Sequence, residues 1–339
     1  MRITRAILLL LSFAICVPVQ HLAAQAQWSV EKTFHIGGEG GWDYVTVDAP
    51  GHRLFVTRST HTMAIDTDTG KVLGDIQGQI RSHGVALVPR LGRGFITDGG
   101  GSGAIIVFDL KTFAVLGRIP TVPDSDGIIY DTKLDRVLAV SGDGGVLMTF
   151  HPDIDPKSGK IDPLIELGGS PEFLASDGTG KVYINLEDKD VVAVVDLESR
   201  KVVARWPVTP AGHPVGMAID IAAHRLFIGC RNPQKMIVMD SRTGSVEAAL
   251  PIGAGVDATR VDNGQAFASC RDGSLTVIGE KAGRFEVQQS LKTAEGARTM
   301  GLNTETNRIF LPTAQLEPSA GERPKMKPDT FEIVVVGRK

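Results

Sequence analysis

The sequence predicts an all-β protein: a seven-bladed β-propeller built from four-stranded blades. Three observations carry this prediction. Turn residues are frequent and spread along the chain, a unit of four strand-length segments recurs, and the N-terminal segment can complete an unfinished last copy. The chain has 339 residues, with 39 Gly and 18 Pro. Turn residues at this density favour many short strands over long helices.

The repeat is clearest in its first copy, where turn signals separate four strand-length segments. These segments are Val45–Asp48, Arg53–Thr57, Met63–Asp66 and Val72–Ile76. The start of the second segment recurs at gaps of 40, 43, 45, 44, 40 and 43 residues, which is the length of a four-stranded propeller blade. The equivalent positions are Arg53, Arg93, Arg136, Lys181, Arg225, Gln265 and Arg308.

The last copy has no fourth strand of its own. Its strand-like segments are Met300–Leu302, Arg308–Leu311 and Phe331–Val336, while Trp28–Ile36 precedes the first copy and belongs to no blade. Pairing the N-terminal segment with the last copy would close the ring and remove two open sheet edges. We therefore predict that residues 27–339 form one propeller domain closed by its N-terminal strand.

The first 26 residues have the features of an export signal. Arg2 and Arg5 precede a 12-residue run that is apolar except for one serine, and Ala24 and Ala26 supply a small-x-small cleavage site. The run is shorter than the about 20 residues that span a bilayer. The sequence predicts a signal peptide at residues 1–26, a periplasmic or secreted mature protein, and no integral membrane segment in the mature chain.

The net charge indicates which partners to expect. The formal charge is −3 for the whole chain, and removing the signal takes away two arginines and no acid, which leaves −5. Nonspecific binding to nucleic acid depends on Lys and Arg that neutralise phosphates. We therefore expect no nucleic-acid partner. The expected partner is a small polar molecule or a protein, and the protein is expected to be a monomer.

Candidate functional residues lie where the chain enters the first strand of each blade, because these positions converge on one mouth of the central channel. The seven ring positions are Asp43, Gly84, Asp126, Glu172, Val215, Asp257 and Arg298, and the residues beside them include Trp42, His83 and His213. Loops after the second strands open on the same face. The ligand-binding candidates are Trp42, Asp43, Arg58, Arg231, Asn232 and Arg271.

The same ring supports a second hypothesis, a metal-dependent hydrolase or lyase. Carboxylates, imidazole and carbonyl oxygens suit Ca²⁺, Mg²⁺ or Mn²⁺. Such an ion would polarise a carbonyl group or activate a water molecule, with an imidazole as general base. The metal ligands in this hypothesis are Asp126, Glu172 and Asp257, and the catalytic candidates are His83, His213 and Arg298.

The ring also has a structural interpretation, in which its charges neutralise one another. Arg298 falls between Asp257 and Asp43 around the channel. The sequence has no glycine-rich phosphate loop, no nucleophile elbow and no haem-attachment motif. The residues therefore leave both a binding protein and an enzyme open.

Two further sets of residues are predicted to be structural. Cys230 and Cys270 end the second strands of adjacent blades, about 10 Å apart by strand spacing, which is beyond the about 7 Å reach of a disulfide. We expect two thiols. Four third-strand aspartates precede a Thr or Ser by three positions, a pattern typical of carboxylates that accept turn amides. They are Asp66, Asp109, Asp196 and Asp240.

The repeat units resemble a known family. The segment Arg-Leu-Phe-Val-Thr at residues 53–57, followed by Ile-Asp-Thr-Asp-Thr-Gly-Lys-Val at 65–72, is similar to the YVTN-type repeats of YncE-like propellers. The resemblance covers roughly residues 28–339. It implies a seven-bladed exported protein with a binding or surface role. A looser similarity of fold to virginiamycin B lyase and gluconolactonase-like enzymes would imply a central divalent cation.

Overall fold

The computed structural model describes residues 27–317 and 325–338, so the predicted signal peptide lies outside the described residues. Within that part of the chain the regular structure is β-strand, apart from two short 3₁₀ helices, Pro89–Leu91 and Glu187–Lys189. No helix in the described ranges is long and apolar enough to cross a membrane. The strands form seven antiparallel blades around a channel, as the repeat predicts.

Strand β1 (Trp28–His35) belongs to the last blade. The strands of the first four blades are β2 (Val45–Asp48), β3 (Arg53–Thr57), β4 (Ser59–Asp66), β5 (Val72–Val88), β6 (Arg93–Asp98), β7 (Ala104–Asp109), β8 (Val115–Pro120), β9 (Ser125–Asp131), β10 (Arg136–Ser141), β11 (Val146–Phe150), β12 (Ile165–Glu166), β13 (Pro171–Ser176), β14 (Lys181–Leu186), β15 (Val191–Asp196) and β16 (Lys201–Pro207). Those of the remaining blades are β17 (Pro214–Asp220), β18 (Arg225–Arg231), β19 (Gln234–Asp240), β20 (Val246–Pro251), β21 (Val256–Asp262), β22 (Gln265–Cys270), β23 (Ser274–Lys281), β24 (Arg284–Lys292), β25 (Gly301–Asn303), β26 (Arg308–Thr313) and β27 (Glu332–Arg338).

The core lies between adjacent blades. Middle strands such as β11 are buried along their whole length and apolar except for Thr149, because both of their faces pack against a neighbouring blade. Outer strands such as β16 alternate between exposed and half-buried residues, because one face meets water. Phe95 and Phe150 show the packing across one such interface, where their ring centroids lie 5.4 Å apart.

One strand is longer than the repeat predicts. Strand β5 serves as the outer strand of the first blade and then continues as the inner strand of the second, so these two blades share a seven-stranded sheet. The buried carboxylate of Asp98 holds this crossing. It accepts hydrogen bonds from the backbone N–H of Ile80 at 3.1 Å and of Arg81 at 2.7 Å. The sequence has no proline at the crossing, and the strand continues through Gly78, which has a φ of +90°.

The N-terminal strand closes the ring. Strand β1 pairs antiparallel with β27, from Trp28 opposite Arg338 to His35 opposite Glu332. The Trp28 side chain is buried, and its ring meets Phe267 of the sixth blade edge-on at 4.9 Å. Its indole N–H donates to Gln265 Oε1 at 3.2 Å. The closure predicted from the incomplete last copy is confirmed.

The two predicted structural sets are also confirmed. Asp66 Oδ1 accepts hydrogen bonds from the Thr69 hydroxyl and backbone N–H, both at 2.7 Å, and these bonds lower the pKa of the Asp66 carboxyl. The equivalent aspartates of three other blades make the same turn. Cys230 and Cys270 are buried free thiols, and burial raises the pKa of each to about 12. Neither thiol is a nucleophile near neutral pH.

We predict that Trp28→Ala lowers the free energy of unfolding by about 3–5 kcal/mol, because it removes a large buried side chain from the closing strand. Chemical denaturation of the purified protein measures this loss. Val30→Ala in the same strand is the matched control, since Val30 is 41% exposed and its truncation changes stability by less than about 0.5 kcal/mol. Equal effects of the two variants would show that closure depends on the backbone pairing alone.

Candidate functional site

A cavity of about 790 Å³ opens at the mouth of the channel where the chain enters the first strands. Its wall comes from the residues that precede these strands, from loops after the second strands, and from the segment Lys325–Pro328. It contains most of the residues that sequence analysis selected. The charged residues of the wall are Glu39, Asp43, Asp126, Glu172, Arg231, Asp257, Arg271, Arg298 and Lys325.

A repeated hydrogen bond positions the ring residues. In several blades a polar side chain near the end of the second strand donates to a main-chain carbonyl at the ring position of the next blade, or one residue before it. Thr57 Oγ1 donates to His83 O at 2.7 Å, Thr97 Oγ1 to Asp126 O at 2.5 Å, and Ser269 Oγ to Arg298 O at 2.6 Å. Each donor lies four residues after the first residue of the second strand, so the sequence itself contains the pattern that could have predicted this bond.

His83 lies between two carboxylates. Its Nδ1 is 2.7 Å from Asp43 Oδ2 and 3.4 Å from Asp126 Oδ1. At the other nitrogen of the imidazole, the Arg81 Nε–H donates to His83 Nε2 at 2.9 Å. Because Nε2 accepts this bond, Nδ1 carries the proton and donates towards Asp43. The imidazole is therefore a fixed donor to the acidic wall, and neither nitrogen offers a free lone pair to act as a general base.

Asp257 is the centre of an ion-pair cluster. Both Arg231 and Arg298 donate charge-assisted hydrogen bonds to its carboxylate. Arg298 also donates to the Trp42 carbonyl at 3.1 Å and lies 3.9 Å from Asp43 Oδ1. This is the neutralising arrangement expected from the order of the residues around the ring. Asp257 and Arg298 therefore bind each other.

Glu172 forms a carboxyl pair with Glu187. The two side chains share a hydrogen bond, and Glu187 Oε2 contacts His213 Nε2 at 3.0 Å on the rim. Burial, followed by the charges of Glu187 and Asp257, raises the pKa of Glu172 to about 8. Glu172 is therefore protonated near neutral pH and is both a hydrogen-bond donor and an acceptor beside the cavity.

Asp126 is the second carboxyl with a raised pKa. Burial raises the pKa of Asp126 well above its usual range, and the nearby charges of Asp43 and Glu172 raise it further. Its buried Oδ1 has no hydrogen-bond partner with good geometry among the described residues. The mouth thus holds two carboxyls whose pKa values are raised.

The structure does not bring the predicted metal ligands together as one set. Asp257 is bound by two arginines and Glu172 by Glu187. In residues 27–317 and 325–338, the one group of three ligand side chains with atoms within 4.8 Å of one another is Asp43, His83 and Asp126. Nδ1 of His83 donates to Asp43 in this arrangement, so a cation held by these three residues would require the imidazole to give up that proton.

Four predicted residues lie outside the cavity wall, and one of them is His83, whose contacts are given above. His213 contacts Glu187 on the rim and is 44% exposed, and Asn232 is exposed in the neighbouring loop. Arg58 is fully buried and unavailable to a ligand. Its guanidinium donates to the carbonyl of Glu39 at 2.7 Å and stacks 3.6 Å from the ring of Phe331.

Arg58 nevertheless shapes the cavity. It also donates to the carbonyls of Gly40 at 2.9 Å and Gly41 at 3.1 Å, so one side chain holds the loop that forms part of the wall. Burial lowers the pKa of Arg58 to about 10, which leaves it charged at neutral pH. The charge-assisted bonds to loop carbonyls offset the cost of burying this guanidinium.

Several residues of the site have no role in the sequence-based predictions. Arg81 fixes the tautomer of His83, and Glu187 pairs with Glu172. Tyr44 forms the floor of the cavity, one position after the ring residue Asp43. Burial raises the pKa of the Tyr44 phenol well above its usual range, with a further contribution from the carboxylates above it. Arg81 and Tyr44 follow from the register of the repeat, whereas the contact of Glu187 does not.

Comparison with known proteins supports the fold. No family model matches the chain, and a search of curated proteins found no relative. Hydrazine synthase from Kuenenia stuttgartiensis, a β-propeller-containing protein, is similar in structure, with a TM-score of 0.70. The match covers 82% of this chain and 94% of that chain at 13% identity. The likeness is one of fold. At this identity it carries no statement about a reaction.

We predict that Glu172 makes the protein less stable as pH rises towards 8. The folded-state pKa is about 8, above the usual unfolded value. Between the two values the native state therefore binds the extra proton, and stability falls with rising pH. The loss is about 1 kcal/mol per pH unit. Urea denaturation between pH 5.5 and 7.5 measures it, and Glu172→Gln removes it.

Glu198→Gln is the matched control for this measurement, because Glu198 is exposed on the outside of the fourth blade. It should leave the pH dependence of unfolding as in the wild type. A Glu172→Gln variant with the same slope as the wild type would mean that the carboxyl pair does not hold a proton in the folded protein.

Proposed function

We propose that this protein binds a small, neutral, polar molecule in the cavity at the channel mouth. The observation that carries the proposal is a concave site of about 790 Å³ with a wall of polar groups of both signs. A recess of this size suits a small molecule better than a flat protein surface. We also propose that residues 1–26 direct export, that the chain is a YncE-like propeller, and that it acts as a monomer.

The charges of the wall favour a neutral ligand. Arg231 and Arg298 both donate to Asp257, Arg298 also lies 3.9 Å from Asp43 Oδ1, and Asp43 contacts His83. No single sign of charge dominates, so a strongly charged ligand gains little net attraction. The protonated carboxyl of Glu172 and the guanidinium groups supply fixed donors, while the carboxylates supply acceptors. Hydroxyl groups, which donate and accept, match this arrangement.

The alternative, a metal-dependent hydrolase or lyase, rests on the proximity of Asp43, His83 and Asp126. A cation there would require His83 to release Arg81 and lose the proton from Nδ1. Elemental analysis of protein purified without chelators or a His tag tests this alternative. We expect less than about 0.1 equivalent of Ca, Mg or Mn after desalting, since the resting site offers too few ligands. One tightly held equivalent that is lost in Asp126→Ala would favour the enzyme.

A panel of neutral sugars and polyols, screened by thermal shift and followed by calorimetry, tests the binding proposal. We expect saturable binding that weakens about tenfold or more in Glu172→Ala and in Arg271→Ala, because each removes a hydrogen-bonding group from the wall. The exposed variant Glu198→Gln should bind as the wild type does. A panel without any saturable binder would count against the proposal.

The pH dependence of affinity separates a neutral ligand from a cation. Deprotonation of Glu172 at a pKa of about 8 creates a negative charge, which attracts a cation and gives a neutral ligand no additional ion pair. We therefore expect affinity for the neutral ligand not to rise between pH 7 and 9. A rise across this range that Glu172→Gln abolishes would identify a cationic ligand instead.

A further inference from the structure

A second cavity, of about 680 Å³, lies in the channel on the other side of Tyr44. Its wall comes from the first strands of all seven blades, and much of it is apolar. The apolar residues of the wall include Val45, Ile128, Leu174, Met217 and Leu302. This composition differs from that of the cavity at the mouth, where charged side chains form much of the wall.

A layer of side chains separates the two cavities. Tyr44 borders both of them and is only 8% exposed. Its ring meets Phe173 edge-on, with centroids 5.2 Å apart. The guanidinium of Arg260 lies 5.1 Å from the centroid of the same Phe173 ring. Tyr44, Phe173 and Arg260 thus form a layer across the channel, and Phe173 and Arg260 belong to the second cavity.

Arg260 differs from the arginines at the mouth because no carboxylate neutralises it. Arg231 and Arg298 both bind Asp257. Among the described residues, Arg260 has no ion pair, and its hydrogen bond goes from Nη1 to the carbonyl of the preceding Thr259 at 2.9 Å. Burial lowers the pKa of Arg260 to about 10, with a small opposing effect of Tyr44, so the group stays charged at neutral pH.

The other ionisable groups of this cavity do not compensate the charge. Asp48 is bound by Arg53, whose Nε–H donates to it at 2.9 Å. The hydroxyl of Tyr130 donates to Asp135 at 2.8 Å. An uncompensated guanidinium beside an apolar recess favours an anion that brings its own apolar surface, since the ion pair would form where water is scarce.

We propose that the second cavity binds a small organic monocarboxylate with an apolar body. The carboxylate pairs with Arg260 and the apolar part lies along the walls formed by the first strands. The ligand binds on the opposite side of the Tyr44 layer from the polar molecule proposed above. Failure of one binding proposal therefore does not affect the other.

Calorimetry with octanoate and octanamide tests this proposal, because the two probes share an apolar chain and differ in charge. We expect octanoate to bind. Octanamide should bind at least about tenfold more weakly, since only the anion pairs with the guanidinium. Arg260→Met should weaken octanoate binding by about the same factor and leave octanamide unchanged. Arg260→Lys, which keeps the charge, should retain part of the affinity.

Arg231→Met is the matched control, because Arg231 lies in the wall of the mouth cavity and should not affect octanoate. Equal affinities of octanoate and octanamide, or unchanged octanoate binding in Arg260→Met, would overturn the proposal. A loss of octanoate binding in Arg231→Met would also overturn it. A second monocarboxylate with an apolar body, 4-phenylbutyrate, is tested beside octanoate, and failure of both to bind at millimolar concentration would overturn the proposal as well. If Arg260→Met does not fold, the comparison of the two probes on the wild type and on Arg260→Lys still decides the matter.

Discussion

Closure of the ring by β1 is the interaction on which the rest of the structure depends. A propeller blade buries its apolar faces only when it has a neighbour on each side, so an open ring would expose one face on each of the two end blades, together with two strand edges. Pairing of β1 with β27 joins the ends of the chain, and Trp28 extends the contact to Phe267 of the preceding blade. The geometry of the channel follows from this closure, because the first strands surround one axis only in a complete ring.

The closed ring places ionisable groups closer together than their charges alone would favour. Asp43, Asp126, Glu172 and Asp257 all line one cavity. The protein accommodates them in two ways. Arginines neutralise Asp257, whereas burial and mutual repulsion raise the pKa values of Glu172 and Asp126. The same constraint thus produces both the ion pairs and the raised pKa values of the wall. A mouth of this kind presents donors and acceptors without a large net field.

Tyr44 and its neighbours divide the channel into two chemically different halves. Above the layer the first-strand positions carry charged residues, and below it they carry Val, Ile, Leu and Met. This division arises because the chain enters each first strand from an exposed loop and then passes into the interior of the ring. Arg260 is the exception, a charged residue at an otherwise apolar level. Its lack of a carboxylate partner is what distinguishes it from the arginines at the mouth.

The sequence by itself determined the fold, the number of blades, the closing strand and most of the residues at the mouth. These depend on local patterns that repeat: buried third strands, turn-forming aspartates such as Asp66, and a distance of 8 to 10 residues from each ring position to the start of the second strand. The sequence could not determine how the ring residues pair. The order of the residues predicted that Asp257 and Arg298 are neighbours. It did not predict three other features, which depend on side-chain directions in different blades: the tautomer of His83, the contact of Glu172 with Glu187 and the full burial of Arg58. Only the tertiary structure decides those contacts, because residues far apart in the chain meet only once the ring is closed.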